Sequence, residues 1–332
     1  MTGNSNIEIV QSEKKINITV DIVRFVCSLI VVSIHCLFLE YSSIQKTIWS
    51  FAVPFFAITS GFYFKYNDKH SYLILLKRMF FLIILGDIIN YLPMIHAQYA
   101  AGHIYINWRY LFIENICLGH LWYLVAIIIC STLIFLIQKY INTIIVIIAI
   151  LFLNLFFEFL NLKGINIVDK YGSYYTFCLF RTIVVLPYFY FGVVLKQYND
   201  NHDTAKFSKI ICIISFIILI IYFIVRRYIH KVHSSISAFY IPVLILIILY
   251  QFIQMKPFFI STDVRHAKIL HFSSMVIYLI HPVVIYFLRI IYGLNGLELF
   301  IETLLISSFI SFIIFGLSEL IKTVGRGKKS ER

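Results

Sequence analysis

The chain is expected to fold as an all-α polytopic membrane protein with about ten transmembrane helices and both termini in the cytoplasm. Three observations predict this. Hydrophobic residues fill 61% of the 332 positions and charged residues only 13%, against roughly 25% charged in a globular chain. The apolar residues come in runs of roughly 20, the length that crosses a hydrocarbon core. Lys and Arg fall on alternate connections with about a two-to-one bias toward the side of the N-terminus, as a cytoplasmic face requires.

Residues 1–17 read as a cytoplasmic tail carrying Lys14 and Lys15. The first span, about 18–39, is too long for a secretory leader, carries Asp21 and Arg24, and has no small-x-small cleavage site, so it is expected to be retained. Further spans follow at about 47–65, 73–92, 119–137, 141–160, 174–195, 207–226, 236–254, 269–290 and 298–321. Residues 18–321 thus form one membrane domain, and 322–332 a basic cytoplasmic tail. No internal repeat stands out. The net charge of +12 is not gathered into a nucleic-acid module. It fits cations held against anionic lipid, so membrane lipid is an expected partner and nucleic acid is not. The six cysteines (27, 36, 117, 130, 178 and 212) form neither a C-x-x-C pair nor a metal spacing, so neither a disulfide framework nor a metal site is expected.

The first span holds the most informative pattern, Asp21-x-x-Arg24-x10-His35. At about 100° per residue, Arg24, Ser28 and His35 fall roughly 300°, 340° and 320° from Asp21. An acid, a guanidinium, a hydroxyl and an imidazole therefore share one stripe on an otherwise apolar helix. Ionisable groups at bilayer depth cost about 2.5–3.5 kcal/mol each on the insertion scale, so the stripe needs a polar cavity. It is expected to run from Arg24, near the cytoplasm, to His35, roughly 16 Å further along the axis at 1.5 Å per residue. On the ninth span Ser274, Tyr278 and His281 lie on one face, and Pro282 frees a backbone carbonyl beside them. A kink with a histidine bonded to a neighbouring helix explains His281 equally well.

Ser60 and Gly61 permit close helix approach. Asp87, the acid deep in the third span, is expected to pair with Arg24 or Arg181, and Asn90 follows it by one turn. Pro93 to His120 reads as the longest external stretch, rich in aromatic residues that suit either a sugar or an interfacial belt. Arg226, Arg227, His230, Lys231 and His233 form a basic cluster on the outer side, suited to solvent, to lipid phosphate or to an anionic acceptor.

Taken together, the motifs resemble the integral membrane acyltransferase-3 family, ten-span O-acyltransferases that modify bacterial surface sugars. The resemblance rests on Asp21-x-x-Arg24-x10-His35, Val53-Pro54-Phe55-Phe56 with Ser60-Gly61, and His120-Leu121-Trp122-Tyr123-Leu124. It continues with Arg181 and Pro187-Tyr188-Phe189-Tyr190-Phe191-Gly192, and with Ser274 and Tyr278-Leu279-Ile280-His281-Pro282, over about 18–321. Several of these also resemble the membrane half of vancomycin-resistance membrane serine racemases. With nothing after Arg332, racemase chemistry is not expected.

The resemblance implies an enzyme of the bacterial plasma membrane that moves an acyl group, most often acetyl, from cytoplasmic acyl-CoA to a hydroxyl. The acceptor would be a cell-surface glycan or its lipid-linked precursor. It makes His35 the base, a role imidazole suits, with Asp21 orienting Arg24. Arg24 with Lys77 and Arg78 would hold the donor's phosphates. His281, Tyr278 and Ser60 are candidates to polarise the thioester or orient the acceptor, and Trp122 to bind it. No permanently bound cofactor is implied; acetyl-CoA or another acyl-CoA is a substrate. The family usually carries an Arg-x-x-Arg pair where this chain has adjacent Lys77-Arg78, two cations without the paired guanidinium fork. A permease or exporter of a small solute or glycan, with the stripe lining its path, is the alternative. A purely structural subunit would leave the buried charges without purpose.

Overall fold

The computed structural model describes residues 16–36, 43–102, 119–143, 174–201, 260–261 and 264–330, with a few isolated positions between them. Seven helices of 16 residues or more make up almost all of this: α1 (Thr19–Cys36), α2 (Ser43–Phe62), α3 (Lys69–Ala100), α4 (Trp122–Ile137), α5 (Tyr174–Asn201), α6 (Val264–Tyr292) and α7 (Gly296–Ser330). A two-residue antiparallel bridge joins β1 (Ile16–Asn17) to β2 (Ile260–Ser261), with Ile16 opposite Ser261. The segments Thr19–Cys36, Arg265–Tyr292 and Gly296–Ile321 are each long and apolar enough to cross a membrane; the apolar stretches Ala52–Phe62 and Trp122–Ile137 are shorter. The chain is a membrane protein. The expected spans at 207–226 and 236–254 and the cluster from Arg226 to His233 lie outside the described residues, as does most of the span at 141–160.

Six helices close a ring. Following neighbours, the order is α1, α2, α5, α4, α3, α6 and back to α1, with α7 outside it against α6 and α1. The position of α7 follows from its residues. Leu305, Phe309, Phe312, Leu317 and Leu320 are exposed on its outer side, while Leu299, Thr303, Ser307 and Ser311 are fully buried on the inner one. Small hydroxyl residues let α7 approach closely, and Ser311 donates to the Ser273 hydroxyl of α6 at 2.9 Å.

The tightest seam joins α2 to α5. Gly61 faces the carbonyl of Phe189, and Gly192 faces that of Ile58. The Ser60-Gly61 and Pro187–Gly192 motifs, far apart in sequence, are thus the two halves of one backbone contact. A side chain at either position would have to occupy the space of the opposing backbone.

Two helix ends differ clearly from expectation: the last helix runs on past 321 to Ser330, and α3 is longer too. α3 does not end near 92 but continues through Pro93 to Ala100, so the first part of the expected external stretch is helical. A proline costs its helix one donor but keeps a helical φ. Packing on α6 then holds the extension, where His96 and the Tyr286 hydroxyl lie 3.4 Å apart and the His96 ring meets Phe287 edge-on at 5.7 Å. At its other end α3 is capped by Asp68, which accepts from the backbone N–H of His70 and the hydroxyl of Ser71. The Ser71 hydroxyl holds this exposed carboxyl below its usual range. A carboxyl so lowered stabilises the fold fully above its ordinary range and loses that contribution as the pH falls through the lowered value. Asp68→Ala is expected to lower the unfolding temperature of the purified protein, and Asp68→Asn, which still caps, to restore most of it.

Candidate active site

Among the described residues, two cavities lie within the ring. The larger, about 490 Å³, takes lining residues from all six helices: Ile34 and His35 of α1, Phe56 of α2, Asn90 of α3, Trp122 and Tyr123 of α4, Arg181 of α5, and Tyr278 and Tyr286 of α6. The smaller, about 170 Å³, holds Arg24, Ser60, Met79, Leu82, His271 and Ser274. Phe56, Tyr123 and Tyr278 line both and form the wall between them. Arg24 and His35 therefore open onto different chambers. Ser28, between them on the helix, is fully buried and donates to the carbonyl of Phe25 at 2.7 Å. The expected continuous polar stripe is broken there, because a buried serine with no outside partner bonds its own helix.

In the larger cavity, imidazoles from three segments meet. His35 and His281 lie 5.0 Å apart between ring centroids, and His281 and His120 lie 5.4 Å apart. His35 is the exposed member; His281 is wholly buried behind it. Nδ1 of His281 lies 3.0 Å from the carbonyl oxygen of Ile277. A carbonyl only accepts, so the neutral ring carries its proton on Nδ1 and presents a bare lone pair at Nε2. Among the described residues that Nε2 has no partner. Asn90 donates through Nδ2 to the carbonyls of Gly86 at 2.6 Å and Leu279 at 3.2 Å, and lies 3.4 Å from Nε2 of His120. These bonds fix the amide's orientation, and among the described residues its buried Oδ1 has no donor. Tyr278 donates its hydroxyl to the carbonyl of His120. Trp122 lies under the guanidinium of Arg181, 4.7 Å from its carbon to the ring centre. Arg289 donates to the backbone carbonyl of His35 at 3.1 Å and ties the end of α1 to α6.

In the smaller cavity Arg24 sits among groups that leave it mostly buried. It pairs with Asp21 at 3.4 Å and donates to Nδ1 of His271 at 3.2 Å; its carbon lies 5.3 Å over the Tyr63 ring. Asp21, one turn back on the same helix, is its carboxylate partner. Ser274 donates to the backbone carbonyl of Arg24 at 3.3 Å, which locks α6 to α1 at this level. Ser60 and Tyr123 hold their hydroxyls 3.4 Å apart. Lys77 and Arg78 are exposed on α3, outside both linings, two turns or less from the cavity residues Met79 and Leu82.

The match that decides the family runs the length of this ring: a family model described as an acyltransferase domain covers residues 17–321. The chain belongs to the acyltransferase-3 family. It is a membrane acyltransferase. No curated protein and no solved structure matches this acyltransferase at a significant level.

Asp21, Arg24, His35, Ser60, Trp122, Tyr278 and His281 all reach or back one of the two chambers of the acyltransferase. Helical spacing and the family motifs give no individual role to His271, Asn90 or His120. His271 was findable, since 271, 274, 278 and 281 continue one helix face by steps of three and four. Asn90 and His120 were not, because their partner Leu279 lies 189 residues from Asn90 on another helix.

Proposed function

We propose that this acyltransferase moves an acyl group, most simply acetyl, from cytoplasmic acyl-CoA to a hydroxyl of an extracytoplasmic cell-surface glycan or its lipid-linked precursor. On this reading it works in the bacterial plasma membrane, needs no metal, and carries no permanently bound cofactor. What supports the reading most is the pair of chambers: a buried guanidinium in one, an exposed imidazole in the other, and a thin wall between.

Acyl-CoA enters from the side of Arg24. The guanidinium, with Lys77 and Arg78 at the mouth, meets its phosphates as charge-assisted donors, while Asp21 and His271 keep Arg24 in place. The acceptor occupies the larger chamber against Trp122, the flat face that a sugar ring stacks on. His35 takes the hydroxyl proton as the oxygen attacks the thioester carbon. The carbon–sulfur bond then breaks, and the proton passes from His35 to the departing thiolate, leaving an ester and free CoA thiol. In the tautomer described above, Nε2 of His281 offers a lone pair and no proton, so His281 can accept from the acceptor's hydroxyl and orient it but cannot polarise the thioester. Ser60, on the donor side of the wall, can donate to the thioester oxygen as charge develops; the Tyr278 proton is already given to the carbonyl of His120, so Tyr278 serves to orient the acceptor.

The test is acetyl-CoA binding and thiol release by the purified protein in nanodiscs. Saturable binding with slow hydrolysis in the absence of acceptor is expected. A folded protein that binds no acyl-CoA would end the reading.

A further inference from the structure

Phe56, Tyr123 and Tyr278 come from three different helices, yet each lines both chambers. They form one aromatic cluster: Phe56 and Tyr123 lie 6.2 Å apart between ring centroids, Tyr123 and Tyr278 6.4 Å. The three rings are not held equally. Tyr278 is pinned by its hydroxyl to the backbone carbonyl of His120 and packs edge-on against the His120 ring at 5.4 Å. Among the described residues the polar tether of Tyr123 is a long contact, 3.4 Å, to the hydroxyl of Ser60, a side chain that itself lines the smaller chamber. Phe56 has no polar tether at all. One side of the wall is therefore fixed, and the other is held by ring packing.

If Arg24 holds the donor's phosphates and His35 attacks through the acceptor, the thioester must pass this wall, and the acyl group passes first. A linear pantetheine arm is slim; the acyl group at its tip is the part whose width varies. We infer that the Phe56–Tyr123–Tyr278 wall selects the donor by the width of its acyl group, admitting acetyl and holding back branched and aromatic acyl groups. Packed interiors resist such widening, because displaced side chains leave their preferred rotamers. This selectivity rests on the acyl-CoA reading above and adds to it the residues that set donor scope.

The experiment compares thiol release from acetyl-CoA, isobutyryl-CoA and benzoyl-CoA by the full chain in nanodiscs. Here water takes the place of the acceptor: its oxygen forms the bond to the acyl carbon, the carbon–sulfur bond breaks, and the thiolate receives the proton. The wild type is expected to lose kcat/KM in the order acetyl, isobutyryl, benzoyl. Phe56→Ala and Tyr123→Leu each widen the wall from the loosely held side. Each is expected to raise the benzoyl-to-acetyl ratio of kcat/KM about tenfold or more, the scale on which pocket shape discriminates. Wild-type protein that cleaves benzoyl-CoA as well as acetyl-CoA would overturn the inference without touching the acyl-CoA reading. So would an unchanged ratio in either variant that still cleaves acetyl-CoA. Should one variant fail to fold, the other and the wild-type series decide. Wild-type protein that binds no acyl-CoA removes both claims together.

Discussion

His35→Ala is expected to lower acyl-CoA turnover by about a hundredfold to ten-thousandfold, the range typical of a general base, while acyl-CoA binding stays intact. The expectation follows from where the two chambers lie. His35 opens only on the larger one, and the donor's phosphates are assigned to the smaller, beyond the Phe56–Tyr123–Tyr278 wall. Arg24→Ala should give the opposite pattern. It removes a charged donor to phosphate, an interaction of about 1.5–3 kcal/mol, so the dissociation constant for acyl-CoA should rise roughly tenfold to a hundredfold. It also strands Asp21 without its 3.4 Å partner, so Arg24→Lys serves as the check on folding. Isothermal titration with acetyl-CoA beside thiol-release kinetics separates the two effects. If both variants lost binding equally, the division of labour between the chambers would be wrong.

The second large effect belongs to the seam between α2 and α5. Gly61→Ala would put a carbon 1.9 Å from the carbonyl oxygen of Phe189, and Gly192→Ala one 2.1 Å from that of Ile58. Backbone cannot step aside as a flexible side chain can, so the helices must part. Overpacking of this kind costs about 1–3 kcal/mol and occasionally more. Both variants should give little monodisperse protein in detergent. Gly316→Ala is the control: its Cβ would meet open space on the outer helix, and alanine is the better helix former. Equal behaviour of Gly61→Ala and Gly316→Ala on size-exclusion chromatography would refute the seam.

What the sequence makes legible here is what one helix contains. Asp21, Arg24 and His35 share α1, and Ser274, Tyr278 and His281 share α6, so helical spacing alone brings out both sets. The small residues Gly61 and Gly192 could be read as sites of close approach, but not as each other's partners. The wall was illegible for a stronger reason: its three rings come from α2, α4 and α6, and no periodicity links positions 56, 123 and 278. Ser28 shows the reverse error. It shares the face of the α1 stripe, but burial and a bond to Phe25 take it out of the polar path. Pro93 misled because a proline that ends most helices can be carried through one when a neighbour, here α6, supports the next two turns.

The ion pair within α1 also bears on how the protein is made. The ribosome delivers α1 to the bilayer long before Val264 and the rest of α6 exist. For that interval the first helix has none of the partners, His271, His281 or Ser274, that later surround its polar groups. Asp21 and Arg24 are one turn apart on the same helix and can neutralise each other from the moment they emerge. They spare the nascent helix part of a penalty of about 2.5–3.5 kcal/mol for each charge. A chain that kept Arg24 but lost Asp21 would reach the membrane with a lone cation, some 240 residues of synthesis before His271 could answer it.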